Sequence, residues 1–245
     1  MKNIIVKTLT ALGLFTSIGY ADEMLPCKPN QIYFGPELID ISVKTTIQDV
    51  HIKGEKHFSG FRLGYEYLKP WAFYAGVDLL STSSSHHFAA TEYGRSIDSS
   101  DQHIGFGNLD LRFGYSTAPK NLFFTPFLGI GVYGLGTIAH NRGFHEGWAY
   151  LSTGLRSKFP INDVFSLGIN LKCFKSFWAY EQFQNHNLNV KVFPCPWGVD
   201  IGIPFDWNFN PKGTWTFQIE PYWTKLNLSE KQNVFGSKFL IGVHF

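Results

Sequence analysis

FGSKFLIGVHF, residues 235–245, alternates between two sets of side chains. The first set is mostly apolar and runs in steps of two from Phe235 to Phe245. The second set holds Lys238 and His244, together with Gly236, Leu240 and Gly242. A strand turns successive side chains to opposite faces, whereas a helix, with a period of 3.6 residues, cannot keep such a set on one face. The segment is therefore predicted to be a strand with one apolar face, which carries Phe239, Ile241, Val243 and Phe245.

The same alternation recurs along most of the chain. In the first candidate strand the apolar parity changes between Leu38 and Ile39, which predicts a bulge or a shorter strand there. The count is about ten strands, with eight as the alternative, and each is near the ~9–11 residues that cross a bilayer when tilted. Besides the last strand, the candidates lie near 31–45, 57–69, 71–83, 103–117, 121–138, 147–159, 164–176, 197–205 and 215–223.

The links between these candidates alternate in length. Membrane barrels of this kind have an even strand number, short turns on the periplasmic side and longer links outside. Five long and four short links fit ten strands, with both termini on the periplasmic side. The fold class predicted is all-β, a closed antiparallel transmembrane β-barrel. The short links lie at 69–70, 118–120, 160–163 and 208–213, and the long polar ones at 46–56, 84–102, 139–146, 177–194 and 225–233.

Composition and the first residues agree with an exported membrane barrel. Aromatic residues make up 17% of the chain and charged residues only 16%, against ~25% charged in soluble domains. A net charge of +2 argues against a nucleic-acid partner. Lys2 and Lys7, an apolar run and a small residue at Ala21 predict a signal peptide over 1–21. A periplasmic tail over 22–30 and a barrel over 31–245 are expected to follow.

Tryptophan placement is typical of two aromatic girdles at the headgroup levels. Trp71, Trp207 and Trp215 lie beside short links. The remaining four lie beside or within long links, and they are Trp148, Trp178, Trp197 and Trp223.

Charged residues on the polar parity predict which face points inward. A mid-strand Arg or Lys facing hydrocarbon would cost roughly 2–4 kcal/mol, whereas inside the barrel acids and bases pair. A ten-stranded barrel is only slightly wider than the eight-stranded size that side chains fill. A packed ionic interior is therefore expected rather than an open pore. The predicted interior charges are Arg62, Glu66, Asp78, Asp110, Arg112, Arg156, Lys172, Asp200, Glu220 and Lys238.

With these features the sequence resembles the small bacterial outer-membrane barrels of the OmpA and OmpX type. The resemblance is carried most specifically by FLIGVHF, residues 239–245. It implies recognition by the barrel-assembly machinery, residence in the outer membrane and contact with outer-membrane lipid. The ten strands counted here depart from the eight of those proteins. The signature residues are Phe239, Ile241, Val243 and Phe245.

Few residues suggest a disulfide, a metal site or a catalytic site. Cys173 and Cys195 lie near the outer ends of neighbouring strands, where a disulfide is one alternative and free thiols the other. The adjacent His86 and His87 are weak metal candidates, so no metal site and no cofactor are predicted. Asp101 and His103 in one long link could form part of a hydrolase site, but any link rich in polar residues offers such a pair.

The functional prediction follows from location and a filled interior. We expect a structural or surface-exposed outer-membrane protein, an adhesin or interaction platform whose long links meet host or extracellular ligands. The alternative is a narrow porin-like channel for small solutes. An enzyme is not predicted.

Overall fold

The computed structural model describes residues 28–47, 50–92, 95–119, 122–139, 142–183, 196–209, 214–227 and 231–245. Within this part of the chain the regular structure is antiparallel β-sheet. It contains no helix long and apolar enough to cross a membrane. The strands are β1 Asn30–Ile47, β2 Val50–Tyr67, β3 Ala72–Glu92, β4 Arg95–Ser116, β5 Phe123–Ala139, β6 Arg142–Pro160, β7 Phe165–Phe183, β8 Trp197–Gly202, β9 Phe205–Asn208, β10 Trp215–Asn227 and β11 Lys231–His244.

The sheet closes on itself into a barrel. From β1 to β7 each strand pairs with the next, β8 and β9 join β7 to β10, and β10 pairs with β11. β1 also pairs with β11 from Gln31↔His244 onward, which leaves no free edge. At the seam, the amide of Phe245 donates to the carbonyl of Asn30 at 3.0 Å, and the amide of Asn30 donates back at 3.3 Å. The two ends of the described chain therefore lie together at one end of the barrel.

The eleven strand segments occupy ten positions around the barrel. β8 and β9 both pair with β7 on one side and with β10 on the other, so they are two parts of one crossing strand. The interruption lies at Pro204, which has no amide hydrogen to donate. Its carbonyl still accepts from Gly168 N at 2.8 Å, which keeps the ladder together. The ten-strand prediction is confirmed, and the eight-strand alternative is wrong.

Three of the predicted long links, 46–56, 84–102 and 139–146, continue the strands as β-hairpins in the residues that the structure describes. β3 continues to Glu92, which pairs with Arg95 at the start of β4. β1 likewise reaches Ile47, paired with Val50 of β2. The predicted strand ends near 45, 57, 83 and 103 are therefore wrong, because these strands run further. Outside a membrane both faces of a strand can meet water, so apolar alternation ends while the hydrogen-bonded ladder goes on.

The predicted irregularity in β1 is absent from the structure. The β1–β2 register is unbroken from Asn30↔Tyr67 to Ile47↔Val50. Leu38 is 54% exposed on the outer surface of the barrel, and Ile39 is 2% exposed on its inside. The parity change therefore marks a change of interior, from polar to apolar, and the bulge prediction is wrong.

The outward face is apolar and aromatic over the length of the strands. Leu128, Leu151 and Phe113 are exposed there, as are five of the tryptophans assigned to the girdles. Trp223 is half-buried on the same face. Trp148 is the exception, because it is 3% exposed and lies inside the barrel. The girdle interpretation is therefore wrong for Trp148. The exposed tryptophans are Trp71, Trp178, Trp197, Trp207 and Trp215.

Candidate functional site in the barrel interior

Inward-facing side chains form two layers, one across the middle of the barrel and one in the half that lies away from the two ends of the described chain. We call the first the ionic layer, and it contains the ten predicted charges together with Glu37. We call the second the apolar layer, which lies further from the termini. Its members are Ile39, Ile41, Phe58, Leu80, Phe106, Leu226 and Val234, with Tyr133, Trp148, Tyr150 and Phe174 against them.

Arg62 is the hub of one half of the ionic layer. Its Nε lies 2.5 Å from Oε2 of Glu37, and its Nη2 lies 3.0 Å from Oε1 of the same carboxylate. Its Nη1 pairs with Asp78. The hydroxyl of Tyr222 donates to Glu37 Oε1 at 2.6 Å, and that of Tyr33 donates to Asp78 Oδ2 at 2.6 Å. Each carboxylate thus receives a guanidinium and a phenol.

Glu66 joins the two other arginines of the layer. Arg112 Nη2 lies 3.3 Å from Glu66 Oε1, and Arg156 pairs with the same oxygen. The hydroxyl of Tyr74 donates to it at 3.2 Å. Glu66 is 2% exposed, so its charge is compensated by these partners rather than by water.

The two lysines of the ionic layer each pair with one acid. Lys172 Nζ lies 3.1 Å from Asp110 Oδ2, and Lys238 Nζ lies 2.8 Å from Glu220 Oε1. Each ammonium also lies over an aromatic ring, Lys172 at 5.2 Å from the centre of Tyr150 and Lys238 at 4.9 Å from that of Tyr222. The rings belong partly to the apolar layer, so the two layers are joined through these contacts.

Aromatic rings fill much of the apolar layer. Tyr133 stacks on Trp148 with ring centres 3.9 Å apart and 18° between planes. Phe106 stacks on Tyr133 with ring centres 5.5 Å apart, and Phe58 contacts Phe106 edge to face at 5.2 Å. The four rings come from β2, β4, β5 and β6, so they form a continuous arc around the inside of the barrel.

Glycines make room for the largest interior rings. Gly131 is paired with Tyr150, and the tyrosine ring lies where a Cβ would stand. Gly236 is related to Tyr222 in the same way. The glycines of the polar parity therefore let tyrosines lie flat across neighbouring strands and reach the ionic layer.

Two small spaces lie between these described side chains. A cavity of about 80 Å³ lies within the ionic layer and one of about 90 Å³ within the apolar layer. Ligand pockets usually measure ~300–1,000 Å³, whereas spaces of this size hold a few water molecules. Both cavities are lined by Arg62, Asn108, Lys172, Asp200 and Tyr222.

The structure brings together all ten charges proposed for the interior. Nine of them make ion pairs, and Asp200 lines both cavities. Sequence reasoning missed Glu37, which is fully buried and paired with Arg62. The sequence contained a signal for it, because Glu37 is a charged residue in a predicted strand and therefore marks an inward face.

Other predicted residues are placed as follows. Phe239, Ile241, Val243 and Phe245 share the outward parity of β11. Cys173 is exposed on the outward face. Cys195 lies outside the described residues, so the disulfide stays a prediction. The side chains of His86, His87, Asp101 and His103 also lie outside the described part. Among the side chains that are described, no group of three or more His, Cys, Asp or Glu could hold a metal ion.

Comparison with known proteins supports the fold. No family model and no curated protein matches the chain. The outer-membrane protease OmpT of Escherichia coli matches at 10% identity over 91% of this chain and 99% of that one, with a TM-score of 0.55. The transport unit of the Escherichia coli autotransporter AIDA-I matches at 10% identity over 96% and 97%, with a TM-score of 0.49. Ail of Yersinia pestis matches at 12% identity over 88% and 97%, with a TM-score of 0.41.

At these identities the likeness to OmpT shows the fold alone, and the two lower scores carry no argument. The chain has the fold of a small outer-membrane β-barrel. The resemblance to the OmpA and OmpX type is confirmed at that level, with ten strands in this chain.

Proposed function

We propose that this chain is an exported outer-membrane protein that acts through its outer surface, as a structural protein and interaction platform. The observation that carries the proposal is the filled interior. A solute crossing the barrel would have to part the ion pairs of Arg62 and Glu66 and then the stacked rings of the apolar layer. Breaking a buried ion pair costs about 3–5 kcal/mol.

Features of the outside support the proposed location. The outward face is apolar along the strands, and exposed Trp71, Trp207 and Trp215 lie towards the end that holds the termini. Trp178 and Trp197 lie towards the other end. Such rings favour the headgroup levels on the two sides of a bilayer. In this orientation, the hairpins that extend past the apolar belt meet the medium and would contact host or extracellular ligands.

Two other functions rank below this one. A narrow channel is favoured by one observation, which is that the two interior cavities share lining residues such as Arg62 and Lys172. A rearrangement of those side chains would join the cavities. An enzyme is not proposed. OmpT is a protease by name, yet at 10% identity its activity does not transfer to this chain.

Surface labelling of intact cells tests the proposal. A short epitope inserted between Glu92 and Arg95 is expected to bind antibody on intact cells, because this hairpin tip should face the medium. The same epitope after Asn162, in the turn between β6 and β7, is the matched control and should bind only after the outer membrane is opened. Equal labelling of both sites on intact cells, or of neither, would contradict the proposed location and orientation.

A further inference from the structure

Two lysines lie on the outward face of the barrel, away from the interior layers. Lys175 of β7 is paired in register with Trp197 of β8, and Lys225 of β10 is paired with Val199 of β8. Both lysine side chains are exposed, and Trp197 between them is 44% exposed. Neighbouring strands lie ~4.8 Å apart, so the two lysines lie on either side of β8, two strand spacings from each other and offset by two residues in register.

Both lysines lie at the same height on their strands. Lys175 is the eleventh residue of β7, counted from Phe165. Lys225 is the eleventh residue of β10, counted from Trp215. A tilted strand crosses the hydrocarbon in ~9–11 residues, which puts the two ammonium groups at the outer headgroup level. An outward lysine is tolerated at that depth and is costly at the midplane.

An apolar groove runs from Lys175 towards the middle of the barrel wall. Its floor is one register row of small side chains, formed by Thr153, Cys173 and Val199. Larger side chains border it, including Leu128 and Leu151, and its volume is about 470 Å³. Lys175 and Trp197 line its outer end. The groove opens on the side that faces lipid.

Acidic partners for the two lysines are not found on this face among the described residues. The described acids of β8, β9 and β10 are Asp200, Asp206 and Glu220, and all three face the interior. The outward Asp40 is on β1, where it pairs with His57. A bound anion would therefore supply the negative charge that the described part of this face lacks.

We propose that Lys175, Trp197 and Lys225 bind one anionic phospholipid of the outer leaflet, whose phosphate headgroup carries a net negative charge. The phosphate lies between the two ammonium groups, and an acyl chain occupies the groove over Thr153, Cys173 and Val199. A soluble anion would use the lysines and leave the groove empty, whereas a lipid accounts for both. This inference rests on the proposed membrane location.

Native mass spectrometry of the full chain, released from vesicles of equal parts dioleoylphosphatidylcholine and dioleoylphosphatidic acid, tests the proposal. The wild type is expected to retain one phosphatidic acid in preference to phosphatidylcholine. Replacing Lys175 or Lys225 by Met should lower that preference about fivefold each, and the double variant about 30-fold. Arginine at both positions should preserve it. Lys69→Met, which removes an exposed lysine near the turn between β2 and β3, is the matched control and should change nothing.

A second variant tests the groove separately from the charges. Cys173→Leu fills the floor of the groove, so retention of both lipids should fall while their ratio stays near that of the wild type. An unchanged ratio in the double methionine variant would overturn the proposal, as would a wild type without preference. A loss in Lys69→Met equal to that in the double variant would also overturn it.

Insertion is measured in the same vesicles by resistance to protease. A chain that does not insert would contradict both the proposed location and the lipid site. A chain that inserts and retains the two lipids equally would contradict the lipid site alone.

Discussion

Arg62 holds Glu37 through two parallel hydrogen bonds across neighbouring strands, at 2.5 Å from Nε and 3.0 Å from Nη2. Such a two-point contact fixes the guanidinium in one plane. Glu37 is completely buried, so this pair defines the centre of the ionic layer rather than a surface contact. The stability and the closure of the barrel should both depend on it.

Glu37→Gln should destabilise the barrel, because Arg62 and Tyr222 then lose the negative charge that compensates them. Breaking a buried ion pair typically costs about 3–5 kcal/mol. The free energy of unfolding, measured in urea with refolded protein, should fall by that amount. Asp40→Asn, at an exposed pair with His57, is the control and should cost under about 1 kcal/mol. Equal losses in the two variants would speak against the ionic layer.

Gly131→Ala should also be destabilising, because the new Cβ meets the ring of Tyr150. Overpacking of this kind costs about 1–3 kcal/mol. Gly134 lies on the same strand with nothing within 4 Å of a Cβ, so Gly134→Ala should be neutral or stabilising by about 0.5–1 kcal/mol. Urea midpoints of the two variants check this. A stable Gly131→Ala barrel would show that the tyrosine is free to move aside.

Trp148→Ala should open a hole in the apolar layer. Deleting a buried Trp costs about 3–5 kcal/mol, and the stacked partner Tyr133 loses its contact. Trp178, 55% exposed on the outward face, is the comparison, and its replacement by Ala should cost much less. If both variants unfold at the same urea concentration, Trp148 does not pack inside the barrel as described.

Phe245→Ala should reduce assembly in cells more than folding in vitro. The backbone bonds of residue 245 with Asn30 remain when the ring is removed, so refolding into detergent should proceed. The amount of folded barrel in the outer membrane should fall several-fold, because the terminal signature lacks its aromatic ring. Phe235→Ala, on the same face of β11, is the control. Equal membrane levels of the two variants would argue against a special role for Phe245.

Much of the fold was predictable from period-two alternation, which depends on the environment of each face. It identified the strand positions and placed Lys238 and His244 inward, because lipid outside and side chains inside differ strongly. The alternation gave the wrong strand ends. Beyond the membrane both faces of a strand meet water, so strands stay paired without an alternation of apolar and polar residues. The extension of β3 to Glu92 belongs to this class.

The interior was predictable only where it is polar. The charges of Arg62 and Glu66 indicate that these residues face inward. Ile39 and Trp148 also face inward, but they are as apolar as lipid-facing residues and cannot be told from them by sequence. Alternation therefore misread the parity of β1 and the place of Trp148. The sequence also did not predict which charges pair, because pairs such as Arg156 with Glu66 come from strands that are not adjacent.

Single-channel recording in a planar bilayer tests the central claim most directly, since it asks whether the ionic and apolar layers close the barrel. Insertion of the wild type would first be verified by protease resistance of the same preparation. The account predicts a silent bilayer, without reproducible current steps across a range of voltages. Regular steps of one conductance, present with the protein and absent without it, would contradict a filled interior and favour a narrow channel.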